Sequence, residues 1–180
     1  MKTLVVADAH LEATADGERG RACFQAFLEG IADKGFRRVI ILGDLFDFWF
    51  EYRHVVFSGY FGVLRSLAQL NEAGIETHLV CGNHDFWAGR FLRDEIGLQI
   101  HHGPLRIESA GRRVLFVHGD GVNHSDYGYR MYKRFARSRF AVAMFGLIHP
   151  DLAMRIAQGV SHGSRSMKSP DRTGRGGEIV

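Results

Sequence analysis

Ile75-Glu76-Thr77-His78-Leu79-Val80-Cys81 runs without a break into Gly82-Asn83-His84-Asp85, and this junction decides the fold. The first seven residues read as a buried strand bounded by Gly74 and Gly82. A strand that stops on Asn-His-Asp has no common structural use for those three side chains. Three more junctions of the same kind occur along the chain. Residues 2–7 lead into Asp8-Ala9-His10, residues 38–42 into Gly43-Asp44 with Asp47 three further on, and residues 113–117 into His118-Gly119-Asp120. A parallel sheet presents the carboxyl ends of its strands along one edge, where ligands and metals gather.

Between these strands the apolar period changes. Residues 18–34 carry Phe24, Phe27, Leu28 and Ile31 at helical spacing and stop at Gly35, and residues 59–72 carry Phe61, Leu64, Leu67 and Ala68 and stop at Gly74. A short helix is expected over 87–96, closed by Gly97. Strands at about 105–108 and 113–117, joined by Ser109-Ala110-Gly111, read as a hairpin. Alternation followed by a hairpin argues an α/β fold, a sheet layered with helices.

A chain of 180 residues suggests one domain with room for a core, and 46% hydrophobic and 24% charged residues are ordinary for a soluble protein. No stretch approaches the roughly 20 apolar residues of a membrane span. Met1-Lys2 runs straight into the first strand, which leaves no room for a signal peptide and points to the cytoplasm. Cys23 and Cys81 form no CxxC pair and read as small buried hydrophobes in a reducing compartment. The net charge of +3 conceals an asymmetry: residues 1–129 hold 13 Lys/Arg against 17 Asp/Glu, and residues 130–168 hold 8 against one. An acidic first part suits a cation site, and a basic second part suits phosphate or an anionic membrane surface.

Taken singly, Asp8-x-His10 and Gly43-Asp44 also fit turns with capping carboxylates. In series at four strand ends they read as a metal site. Carboxylate plus imidazole suits Mn²⁺, Fe²⁺ or Zn²⁺ better than Ca²⁺, which wants oxygen alone. Asp44 has two oxygens with which to bridge two cations, while Asn83 offers an oxygen and His118 a nitrogen to the second. Two ions about 3.5–4 Å apart stabilise both the entering and leaving oxygens in displacement at phosphorus.

This motif series resembles the calcineurin-like metallophosphoesterases, whose pattern runs D-x-H, GDxxD, GNH[DE], a His after a strand, then GHxH. The resemblance implies an α/β fold, an αββα sandwich, with two divalent ions, Mn²⁺ being expected. It implies that Asp8 and His10 bind one ion and Asn83 and His118 the other, with Asp44 bridging. It also implies that His84 contacts the scissile phosphate or protonates the leaving oxygen, oriented by Asp85. The aromatic continuation Phe46-Asp47-Phe48-Trp49-Phe50 and the run Asp126-Tyr127-Gly128-Tyr129-Arg130 resemble the UDP-2,3-diacylglucosamine diphosphatase subgroup, in the members reading GNHD. Its enterobacterial members carry Arg where this chain has His84.

That likeness implies hydrolysis of a UDP-linked acylated glucosamine to UMP and 2,3-diacylglucosamine 1-phosphate in lipid A biosynthesis. It divides the chain into a core at 1–129, a basic helical lid at 130–168 and a loop at 169–180. Asn83, His84, Asp126, Tyr129, Ser161, Arg165 and Lys168 are the implied substrate contacts. The lid interleaves Arg130, Lys133, Arg134, Arg137 and Arg139 with Tyr132, Phe135, Phe140, Met144 and Phe145, a composition suited to acyl chains on one side and anionic lipid on the other. The inner-membrane surface is therefore an expected partner, whereas no nucleic acid or obligate protein partner is. The alternatives are a phosphoesterase for a soluble nucleotide or phosphodiester, and a non-enzymatic scaffold of the same fold. GHxH is absent, so the C-terminal strands of the sandwich are expected to be missing. The 180-residue form is expected to load metal weakly and to be impaired as an enzyme.

Overall fold

The computed structural model describes residues 2–109, 111–120, 131 and 134–167. Strands β1 (Thr3–Ala7), β2 (Arg38–Leu42), β3 (Glu76–Val80) and β4 (Gln99–His101) form one parallel sheet in that order. Its register pairs Ala7 with Leu42, Ile41 with Leu79 and Val80 with His101. Helices α1 (Glu18–Ala32) and α2 (Phe61–Glu72) are the crossovers from β1 to β2 and from β2 to β3. Strands β5 (Leu105–Ser109) and β6 (Arg112–Phe116) pair antiparallel as a hairpin, and α3 (Arg139–Phe145) and α4 (Pro150–Met167) follow.

The period of two in each strand divides the side chains between two cores. On one face Val39, Ile41, Leu79 and Cys81 meet Phe24, Leu28 and Ile31 of α1 and Val63, Leu64, Leu67 and Leu70 of α2. On the other, Ile40 and Val80 meet Leu105, with Leu42, Ile107 and Phe116 packed around them. Leu28, Val39, Ile40 and Leu67 are wholly buried, each contributing roughly 1.5–3 kcal/mol of apolar burial. Helices, parallel sheet and hairpin are thus stacked in layers, the α/β sandwich that the alternation predicts.

Three expectations are corrected. The helix over 87–96 is a single π turn at Phe91–Glu95. Glu51 explains it: its carboxylate accepts the backbone N–H groups of Gly89, Phe91 and Leu92 at 2.7, 3.0 and 3.3 Å. Strand β4, with three residues, was not foreseen. Cys23 is exposed, because α1 turns Phe24 inward and leaves its neighbour about 100° round the helix; Cys81 is buried as expected.

Candidate metal centre

The chain leaves strand geometry at the β1 and β2 ends by an uncommon route. Asp8, His10 and Asp44 take φ of 53°, 43° and 50°, the left-handed region that side chains other than glycine rarely occupy. The two segments still run side by side, with Asp8 N–H donating to Gly43 O at 3.3 Å, His10 N–H to Asp44 O at 2.8 Å and Leu11 N–H to Leu45 O at 3.0 Å. These turns carry Asp8, His10, Asp44 and Asp47 to the sheet edge where β3 delivers Asn83 and His84 and β6 delivers His118.

Two groups of three donors result: Asp8, Asp44 and His118, and His10, Asp47 and His84, with one ligand atom from each residue lying within 4.8 Å of the others in its group. Asp44 reaches both groups. Its Oδ2 lies 3.3 Å from His118 Nε2 and 3.7 Å from His10 Nε2, as a carboxylate shared between two cations requires. The likeness placed Asp8 and His10 together and gave Asp47 no role. In the structure the Asp8 carboxylate is nearer His118, at 3.9 Å from Nδ1, and His10 Nδ1 lies 3.8 Å from the Asp47 carboxylate. The signal that could have found Asp47 was its own place three residues beyond Asp44. Asn83 is half-buried, just past the end of β3 and next to His84.

Backbone carbonyls set the imidazoles. His118 Nδ1 donates to Leu42 O at 2.8 Å and His84 Nδ1 to Asp47 O at 2.6 Å, since a carbonyl only accepts. Each ring therefore turns its Nε2 to the site, as a ring oriented from behind for metal or phosphate does. The rings of His10 and His84 meet edge to face at 4.8 Å. His84 is thus oriented by the Asp47 carbonyl and not by Asp85. Asp85 is fully buried and accepts from Gly82 N–H at 2.7 Å and Leu45 N–H at 3.0 Å, which ties the second motif to the third. The expectation that Asp85 orients the His84 ring is corrected accordingly. Burial pushes Asp85 up to about 6 despite those two donors.

Charge is concentrated at Asp44. Burial raises its pKa, but the hydrogen bond with His118, the N–H of His84 at 2.9 Å and the charges of both imidazoles outweigh burial and hold it below the ordinary carboxylate value. The bond to Asp44 lifts His118 to about 9 against its own burial. Two glycines make room for this. A Cβ on Gly43 would meet His118 Nδ1 at 2.6 Å and Gly82 N at 2.7 Å, and one on Gly82 would strike the Asp44 carboxylate. Carboxylate and imidazole in one cluster, with buried Asp44 kept ionised, is a donor set fit for borderline divalent cations.

Of the other expected contacts, Asp126, Tyr129 and Lys168 lie outside the described residues, as do the side chains of Ser161 and Arg165. Trp49 is buried in the main core, stacked on Phe46 at 4.7 Å. Phe48 and Phe50 instead meet Phe145 of α3 at 5.7 and 5.0 Å, and Trp87 joins them at 4.8 Å from Phe145.

The calcineurin-like phosphoesterase superfamily domain matches residues 1–162. The chain is 33% identical over 167 residues to the UDP-2,3-diacylglucosamine hydrolase of Porphyromonas gingivalis, covering 91% of this chain and 63% of that protein. It is 27% identical to the hydrolase of the same name from Histophilus somni (99% and 73% covered) and 28% identical to that of Edwardsiella ictaluri (94% and 64%). The chain thus spans less than two thirds of the length of the Porphyromonas gingivalis and Edwardsiella ictaluri relatives.

Proposed function

The chain belongs to the calcineurin-like phosphoesterase superfamily, and from that we propose that it hydrolyses the diphosphate of UDP-2,3-diacylglucosamine to UMP and 2,3-diacylglucosamine 1-phosphate. The observation that carries this reading is the pair of three-donor groups sharing Asp44, in a chain 33% identical over most of its length to a hydrolase named for that substrate. The family implies divalent ions, and the mixed carboxylate and imidazole set favours Mn²⁺. Bound there, the ions supply Lewis acidity at phosphorus and acidify water. Asp44, held ionised, and His10 and His118 through their Nε2 atoms would hold the ions. Asp8, Asp47 and Asn83 complete the set from the strand ends. His84, its Nδ1 fixed by Asp47 O, presents Nε2 to a phosphoryl oxygen or to the leaving oxygen.

Residues 130–168 form the substrate lid of this reading, with Asp126, Tyr129, Ser161, Arg165 and Lys168 reaching the nucleotide and sugar. Two contacts support it: Trp87 Nε1–H donates to Ala136 O at 3.0 Å, and Phe145 packs on Phe48, Phe50 and Trp87 beside the second motif. The outer side of the lid docks on the inner-membrane surface from the cytoplasm. Exposed Phe135, Phe140, Met144, Leu147 and Leu152, alongside exposed Arg134, Arg139 and Arg155, support that placement. No single described helix is long and apolar enough to cross a membrane, and α3 and the start of α4 bend through 114°.

The test is release of UMP from UDP-2,3-diacylglucosamine, with and without Mn²⁺, by the 180-residue chain and by a form extended to the length of the relatives. Mn²⁺-dependent release by the extended form, abolished in Asp44→Ala and His84→Ala, is expected. Turnover of bis(p-nitrophenyl) phosphate with no release from the lipid would overturn the substrate and leave a phosphoesterase of another kind.

A further inference from the structure

Against His118 lies a cavity of about 240 Å³ whose lining reaches beyond the motif residues to His102 and Arg137. Its apolar walls are Val80, Val117 and Pro104, from the ends of β3 and β6 and the turn into β5; its polar groups are His102, His118, Asp120 and Arg137. Arg137 is the odd member. Its Nε is buried without a hydrogen-bond partner, and among the described residues no carboxylate lies within ion-pair distance of its guanidinium. A buried guanidinium nitrogen without an acceptor is costly, and such groups call for an explanation.

The position of Arg137 is fixed from three sides. The guanidinium carbon stands 5.5 Å from the centre of the Phe86 ring, a stacking contact that holds the plane of the group. Next to it Ala136 is buried, and its carbonyl accepts from Trp87 Nε1, so the residues that place Arg137 are those directly after the Gly82-Asn83-His84-Asp85 motif. Ser138 follows and caps α3 through its side chain, which accepts Ala141 N–H at 3.2 Å. The arginine is thus preorganised before any ligand arrives, so little side-chain entropy is lost on binding. The lining also offers His102, which burial, aided by the Arg137 charge, keeps toward its neutral form. His118 lines the same cavity, so whatever fills it lies against the metal centre.

We propose that Arg137, stacked on Phe86 and lining this cavity together with His102, is a positioning residue that binds a phosphoryl group of the substrate other than the one under attack. The inference rests on the reading of the chain as a diphosphate hydrolase. A guanidinium is suited to this task, because its planar fork matches two phosphoryl oxygens and its charge never titrates. Asp120 is the one acid among the described lining residues, so an anion is drawn to Arg137 and His102 and away from Asp120. The ligand class is therefore a diphosphate, one phosphoryl group at the metal centre and its neighbour on Arg137. A simple phosphodiester has nothing to offer the subsite.

Steady-state kinetics of Arg137→Ala, Arg137→Lys and Arg65→Ala on two substrates tests this, in the extended form. For the UDP-linked lipid, Arg137→Ala should raise KM by about 10- to 100-fold, the loss expected when a charged donor is removed, with kcat little changed. Arg137→Lys should recover part of it, and neither variant should alter turnover of bis(p-nitrophenyl) phosphate. Arg65, exposed on α2 and outside the lid, is the control and should leave both substrates unaffected. Binding of inorganic phosphate to the metal-free 180-residue chain, followed by phosphorus NMR, reads the subsite without turnover and should weaken by a similar factor in Arg137→Ala. Equal phosphate binding by wild type and Arg137→Ala, or an equal loss in Arg65→Ala, would overturn the proposal. Phosphate binding that depends on Arg137 in a protein that does not cleave the UDP-linked lipid would sink the substrate assignment and leave the subsite standing.

Discussion

Replacing Gly82 with alanine should disable the metal centre by steric means alone. A Cβ at that position would strike Asp44 Oδ1 and come within 2.9 Å of both Asp44 Cγ and Asp44 N, where ordinary contact begins at 3.4 Å. About half an ångström must therefore be found for Cγ and N, and more than twice that for Oδ1. The side chain cannot swing away freely, because Oδ1 accepts His84 N–H at 2.9 Å and Oδ2 faces His118 Nε2 at 3.3 Å. The backbone cannot yield cheaply either, since Asp44 already sits at φ 50° and its carbonyl accepts His10 N–H at 2.8 Å. Overpacking at a rigid site costs about 1–3 kcal/mol, which for a chain of this size lowers Tm by roughly 3–10 °C. Because Asp44 serves both donor groups, Mn²⁺ affinity should fall by about 10- to 100-fold, the loss seen when the support of a ligand is disturbed. Thermal melting without metal reads the first effect, and calorimetric Mn²⁺ titration reads the second. Gly103→Ala is the control, a glycine where a Cβ would meet nothing within 4 Å. A Gly82→Ala chain that melts with the control and binds Mn²⁺ as wild type does would refute the reasoning.

Further outcomes follow from other parts of the molecule. His78 and His101 stack with Nδ1 and Nε2 3.1 Å apart, and burial holds both below the ordinary imidazole value, so each favours folding while neutral. Their contribution is present above the unfolded value of about 6.5 and is lost as pH falls below it. The urea midpoint should drop from pH 7.5 to 5.5, and less so in His78→Leu; an equal drop in both would place the acid sensitivity elsewhere. Burial pushes the Cys81 thiol up to about 12, so iodoacetamide should label exposed Cys23 first and reach Cys81 only on unfolding, as peptide mass spectrometry will show. Trp87→Phe removes the bond to Ala136 O and should cost about 0.5–1.5 kcal/mol. Limited proteolysis should then cut within 134–157 faster than in wild type, and an unchanged pattern would mean that the aromatic contacts alone seat α3.

The strands and crossover helices were legible because each is decided locally. Residues 39–42 are an apolar run closed by Gly43, Leu79-Val80-Cys81 is a shorter one closed by Gly82, and the stripe at Phe24, Leu28 and Ile31 turns one face of α1 inward. What escaped the sequence is what depends on distant partners. The π turn at Phe91–Glu95 is held by Glu51, some 40 residues upstream. The role of Asp85 is fixed by Leu45, equally far away, and so a residue that reads as part of the site proved to be a brace beneath it. Three-residue β4 carries too few positions for any period to show.

The centre itself was legible for a different reason. Nothing in Asp8-Ala9-His10 announces left-handed backbone, since the residue between the two donors is alanine and not glycine, yet both donors adopt it, as does Asp44. Each such residue costs of order 1–3 kcal/mol unless its surroundings impose it. Here they do: the paired carbonyls of Gly43 and Asp44 hold the β1 turn, and the close approach of Gly82 leaves Asp44 no other course. Regular elements are readable where local preference and tertiary packing agree. The donors could be read because side chains with no folding use stand at four strand ends, and the strain that gathers them is the physical mark of a site kept for its chemistry.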